Sequence, residues 1–167
     1  KLSSRIGRLY AADLSGAAVG CLVFVVALEL TDGATAVFLA ALVACVGSLA
    51  YARERDVARG LRISGYVVGL ALLAMALAQF ATMRAGSPLV TLRWVKGREE
   101  ERPLVERWNS FSRITIWGDP AQETPAFGFG FPRRNRPTDT ARQLRLEIDA
   151  SADTYLTGFT GDLSSVA

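Results

Sequence analysis

Three long apolar runs occupy the first half of this 167-residue chain, at residues 11–30, 34–52 and 63–83. Each is close to the roughly 20 residues that a helix, rising ~1.5 Å per residue, needs to cross a bilayer core. No charged side chain occurs from Leu14 to Leu28, nor from Ala34 to Ala52. Within 63–83 the only polar side chains are Ser64, Tyr66, Gln79 and Thr82. Hydrocarbon offers no hydrogen-bond partners, so backbone placed there must satisfy itself, and the three runs are expected as helices. Residues 84–167 contain no such run and carry 12 Lys and Arg against 11 Asp and Glu. The mean hydropathy of +0.24 averages over a half suited to lipid and a half suited to water.

Composition removes several function classes. The chain has no histidine, so it cannot supply a Ser-His-Asp or Cys-His set by itself. Its two cysteines, Cys21 and Cys45, both fall inside apolar runs and read as small packing residues. Metal ligation of the His/Cys type is not expected. The pI near 9.2 does not mark a nucleic-acid footprint, because basic residues are scattered. Arg133, Arg134 and Arg136 form the one tight basic run of the second half, read as a solvated loop or an anionic-partner site.

Gly33, beside Thr31 and Asp32, should break the first helix from the second and leave a tight antiparallel hairpin. The second connection, residues 53–62, is longer and charged. Gly16 and Gly20 form a GxxxG pair in the first run and Gly65 and Gly69 form one in the third, with Ala36, Ala40, Ala44 and Ser48 continuing the spacing in the second. Such stripes allow close helix packing in lipid. Asp13 reads either as an interfacial carboxylate at a helix N-terminus or as an interhelical ion pair or proton-linked site. Gln79 is expected at an interface. Lys1, Arg5 and Arg8, with Arg53, Arg55, Arg59 and Arg62, place two connections on the cytoplasmic side by the loop-charge rule. That parity sends residues 84–167 outside, whereas Arg84, Arg93, Lys96 and Arg98 oppose it, so the charge rule leaves the side of the tail open. The opening Lys1-Leu-Ser-Ser reads as an interhelical loop, and a fragment of a longer multi-pass protein is expected.

In the second half, residues 89–96 and 142–149 alternate and are rich in strand formers, and 111–117 alternates with Phe111, Arg113, Thr115 and Trp117 on one face. Residues 98–102 read as a charged turn or linker, 118–139 as a long loop with the run Phe127-Gly-Phe-Gly-Phe131, and 155–159 as a short strand. The predicted fold class is therefore three transmembrane helices followed by a small, mainly antiparallel β unit. Its boundaries are 1–84 for the helical domain, 85–102 for a linker with the first strand, and 103–167 for the β-rich part.

The stretches Val105-Glu-Arg-Trp-Asn-Ser-Phe-Ser-Arg-Ile-Thr-Ile116 and Leu144-Arg-Leu-Glu-Ile-Asp149 resemble the N-terminal β-hairpin region of spermidine synthase-like proteins. There a segment of the type Glu-Ser-x-Tyr-Gln-x-Ile-x-Val leads to a Leu-x-Leu-Asp-Gly strand end. Ile6-Gly-Arg-Leu-Tyr-Ala-Ala-Asp-Leu-Ser-Gly-Ala17 is similar to bacterial members with a multi-helix membrane domain ahead of the synthase region. The resemblance implies a parent with a following Rossmann-like domain that binds S-adenosylmethionine or its decarboxylated form. Its Gly-rich turn would come shortly after Leu163 and its catalytic acid later still. It further implies an aminopropyltransferase-like transferase of polyamine biosynthesis in the bacterial inner membrane. Two departures count against aminopropyl transfer: the glutamines expected near Ser112 and Thr154 are missing, and Ala150 replaces the Gly after Asp149.

The substrate-cleft candidates are Trp108, Ser112 and Asp149; no catalytic residue and no cofactor is expected within these 167 residues. Trp108 to Phe111 read equally as a turn with buried aromatics, and Asp149 equally as a turn cap. Expected partners are the lipid bilayer, the remaining helices and catalytic domain of the parent, and a second copy of the chain. A non-enzymatic membrane anchor presenting a β domain for assembly or ligand binding is the alternative, and a transporter fragment the third reading.

Overall fold

The computed structural model describes residues 2–53, 57–127, 140–158 and 161, with side chains from Ile6 onward. Three helices, α1 (Leu2–Leu30), α2 (Gly33–Arg53) and α3 (Arg59–Arg84), are long and apolar enough to cross a membrane. They extend past the apolar runs at their charged ends. α1 starts at Leu2, so Asp13 lies about three turns inside it and not at its N-terminus, beyond the reach of the helix dipole. Leu9, Leu22, Leu61, Leu70 and Leu77 lie exposed on the helix surfaces. Water would not tolerate so much contiguous apolar surface, whereas lipid does.

Seven short strands follow: β1 (Trp94–Val95), β2 (Arg98–Glu99), β3 (Val105–Trp108), β4 (Arg113–Trp117), β5 (Glu123–Pro125), β6 (Thr140–Ile148) and β7 (Ala152–Thr157). β1 and β2 form a hairpin through Lys96 and Gly97, both at positive φ, as a two-residue turn of the primed type requires. The main sheet is antiparallel. β6 lies at its centre, pairing with β4 in the register Ile114↔Ile148 to Trp117↔Arg145, with β5 beyond β4's end, and with β7. β3 borders β4.

The expected strand at 89–96 is corrected to Trp94–Val95, because the backbone of Val90 is engaged by a glutamine side chain, as described below. The expected turn at 98–102 holds β2, and the expected loop at 118–139 holds β5. Phe111 does not join Arg113 and Thr115 on a buried face. It precedes β4 and is 93% exposed, while Arg113 and Thr115 are buried. The last strand ends at Thr157, not 159. The Phe-Gly run beyond Phe127, the Arg133–Arg134–Arg136 run, Leu163 and part of the second connection lie outside the described residues.

The chain divides into two units: Lys1–Thr91 with Trp108–Ser110, and Leu92–Arg107 with Phe111–Ala167.

Candidate functional site

In the helical unit the polar groups gather where α1 passes into α2 and α3 ends. Asp32 is the N-cap of α2: its Oδ1 accepts from the Thr35 amide at 2.7 Å, satisfying one of the orphan donors of a helix start. Its Oδ2 accepts from Gln79 Nε2 at 2.7 Å, across 47 residues of sequence. The same Nε2 donates to the Val90 carbonyl at 2.9 Å, and Gln79 Oε1 accepts from the Val90 amide at 2.8 Å. One side-chain amide thus closes a two-point pair with a backbone residue and holds a carboxylate. Gln79 is fully buried at 0% exposure, near the end of α3.

α3 stops just beyond. The Gly86 amide donates to the Met83 carbonyl and the Ser87 amide to the Thr82 carbonyl, with Gly86 at φ 77°. This is the Schellman arrangement, which needs a residue that tolerates positive φ, and Pro88 then prevents the helix from continuing. On the opposite flank the ring of Trp108 lies against Gly33, where a Cβ would come within 2.7 Å of it. The Ser110 amide donates to Glu29 Oε2 at 3.3 Å.

Small residues account for the α2–α3 contact. A Cβ on Gly65 would meet Leu49 at 2.7 Å, and one on Gly69 would meet Cys45 Sγ at 3.4 Å. An open, mainly apolar cleft of about 450 Å³ runs beside them, lined among others by Ala44, Cys45, Ser48, Gly65 and Leu72. Gly16 and Gly20 have nothing within 4 Å, so among the described residues the first GxxxG pair makes no close packing contact.

The β unit is organised around a charge. Arg113 on β4 is 4% exposed; its Nη1 donates to Glu100 Oε2 at 2.6 Å and its Nε to Glu106 Oε1 at 2.8 Å. Burial works to lower the guanidinium pKa, but the hydrogen bonds and charges of Glu106 and Glu100 outweigh it and hold it above its ordinary value. Nη2 is buried without a hydrogen-bond partner among the described residues. Gln143 on β6 repeats the device of Gln79: its Oε1 accepts from the Phe127 amide at 2.7 Å and its Nε2 donates to the Phe127 carbonyl at 2.8 Å. The Phe127 ring meets Tyr155, with centroids 4.6 Å apart.

The sequence candidates fall in both units. Trp108 belongs with the helical unit, Ser112 and Asp149 with the β unit. Asp149 Oδ1 accepts from the Arg113 amide at 2.9 Å and the Asp149 amide donates to the Arg113 carbonyl at 2.9 Å, so this carboxylate fastens the end of β6 to the start of β4. Among the described residues no group of three or more His, Cys, Asp or Glu could hold a metal ion.

Sequence reasoning passed over Asp32 as a cap, Gln79 as a clamp, and Arg113 with its two glutamates. The two usable signals are a lone amide in an otherwise apolar run and a lone arginine inside a strand pattern. No protein-family model, curated protein or solved structure matches this chain.

Proposed function

We propose that this chain is the membrane-embedded portion and N-terminal β unit of a spermidine synthase-like, S-adenosylmethionine-fold protein of the bacterial inner membrane. On this reading the helices anchor, the β unit is presented in water, and cofactor chemistry belongs to a further part of the parent. The observation that carries it is the pairing of the two stretches behind the resemblance. Residues of Val105-to-Ile116 and Leu144-to-Asp149 meet as neighbouring antiparallel strands, Ile114 opposite Ile148 and Ile116 opposite Leu146, directly after three membrane-length helices.

The test is on the full-length parent. Its gene should encode, downstream of the codon for Ala167, a strand, a Gly-rich turn and an acidic residue. The detergent-purified protein should then retain radiolabelled S-adenosylmethionine, or its decarboxylated form, in equilibrium dialysis. A parent without that turn and without retention of either ligand removes the synthase reading.

A second reading is favoured by the structural employment of the candidates. Asp149 is spent on the Arg113 backbone and Trp108 on Gly33, which suits a non-enzymatic anchor whose β unit serves assembly. A parent that binds neither ligand yet co-purifies as a defined oligomer through the β unit selects this reading.

A further inference from the structure

We propose that the segment from Ala85 to Thr91 folds back into the interfacial layer of the bilayer and contacts lipid there, held at that depth by Gln79. The inference rests on the reading of α3 as a membrane span and adds a lipid-contacting surface outside the three helices.

The chain reverses at the Schellman turn of Gly86 and Pro88, and Val90 returns to the level of Gln79. Gln79 lies five residues before Arg84, the last residue of α3, or about 7.5 Å inside the helix end at ~1.5 Å per residue. The returning segment is not helical, so its peptide groups need partners from elsewhere. In water they would find them without help. Here a fully buried glutamine takes both the amide and the carbonyl of Val90, and its remaining donor hydrogen goes to the capping carboxylate of Asp32. Non-helical backbone is tolerated at membrane depth when protein groups satisfy it in this way.

The side chains agree. Leu89 is 60% exposed and Val90 is also exposed, so the returning segment presents apolar side chains outside the three helices. Arg84 stacks over Phe80 at 5.1 Å, which places a cation and an aromatic ring beside the segment, the pairing that suits the headgroup boundary. The occupant of this surface is the acyl-headgroup boundary of the bilayer.

The experiment measures label depth by electron paramagnetic resonance. Leu89→Cys and Leu70→Cys are each made in the full chain with Cys21→Ala and Cys45→Ala, spin-labelled, and reconstituted into phosphatidylcholine–phosphatidylglycerol vesicles. Collision with oxygen is compared with collision with a water-soluble nickel chelate. We expect the Leu70 label to be rich in oxygen and closed to nickel, and the Leu89 label to lie between it and label free in buffer. Adding Gln79→Leu should move the Leu89 label toward water. A Leu89 label as open to nickel as free label, with Leu70 still closed, overturns this inference and leaves the membrane reading intact. A Leu70 label open to nickel overturns both. A Leu89 depth unchanged by Gln79→Leu removes the glutamine as the holding group.

Discussion

Gln79 Nε2 stands 2.7 Å from Asp32 Oδ2, joining the end of α3 to the start of α2 through a pair of fully or nearly fully buried side chains. All hydrogen-bonding positions that matter in this pair are used at once: the carboxylate caps α2, and the amide clamps Val90. Removing the amide leaves a buried carboxylate oxygen and two backbone groups short of partners. Each such loss costs about 1–3 kcal/mol when the group stays dry, and less where the site relaxes. Gln79→Leu is therefore expected to destabilise the helical unit by about 2 kcal/mol. Unfolding in mixed micelles with rising sodium dodecyl sulfate measures it, and a midpoint equal to that of the wild type would refute the clamp as a stabilising element.

The buried ion cluster of the β unit makes the opposite kind of demand. Arg113→Met removes the cation between Glu100 and Glu106, whose side chains are 11% and 22% exposed. Breaking a buried pair by deleting one partner costs about 3–5 kcal/mol, because the remaining charge is uncompensated. We expect Arg113→Met to unfold the sheet or leave it marginal, and Arg113→Lys to fold while losing stability, since an ammonium cannot reproduce the guanidinium fork. Near-ultraviolet circular dichroism of Trp117, whose indole donates to Thr115 Oγ1, reports the result.

The pH dependence of that charge follows from its direction. The guanidinium pKa is raised in the folded state, so the folded chain holds the proton more tightly than the unfolded one. The contribution is then fully present below the unfolded pKa and disappears only as pH climbs through the folded one, in strong alkali. Raising pH from neutrality to about 10 should not weaken the Arg113 contribution, because an arginine stays protonated throughout that interval. Comparing wild type with Arg113→Lys across that interval checks it: the difference in unfolding free energy should not shrink through any loss of the arginine's charge.

The spans were legible because missing charge is a local property: each run announces itself without reference to the rest of the chain. β4 and β6 were legible for a related reason, since alternation is written within five to nine consecutive residues. What stayed hidden is pairing at a distance. Nothing beside Gln79 says that its partner is Asp32, and nothing beside Val90 says that a side chain will occupy its backbone and end the expected strand. The alternation puts Phe111, Arg113, Thr115 and Trp117 on one face without saying which of them is buried. The buried centre is the arginine, made tolerable by Glu100, just after β2, and Glu106, on β3, and the pattern did not reveal that these two converge on it. The two GxxxG pairs were equivalent as strings, yet only the third helix uses its glycines against a described neighbour.

That asymmetry is testable. Gly65→Ile would drive a branched side chain into Leu49, whose Cδ2 is 2.7 Å from the Cβ position, and overpacking of this kind costs about 1–3 kcal/mol. Gly16→Ile enters space with nothing within 4 Å and should change stability by no more than about 0.5 kcal/mol. Parallel detergent titrations of the two variants distinguish them. Equal effects would mean that the α2–α3 contact does not depend on a small residue at 65.

Ala150 offers a gain in place of a loss. It follows Asp149 in the β6–β7 turn and sits at φ 56°, in the left-handed region. For a residue with a Cβ this conformation costs roughly 1–2 kcal/mol, and Asp149, at φ 51°, is of a residue type that visits this region more readily than alanine. Glycine removes the clash and adds about 0.5–1 kcal/mol of unfolded-state entropy to be lost on folding. The balance favours Ala150→Gly by about 0.5 kcal/mol, whereas Ala150→Val, branched at Cβ, should destabilise the turn further. The register Ile148↔Ala152 continuing to Gln143↔Thr157 gives a direct readout in amide hydrogen exchange. Exchange at the hairpin amides should slow in Ala150→Gly and quicken in Ala150→Val. Faster exchange in the glycine variant would show that the turn does not hold residue 150 in a left-handed conformation.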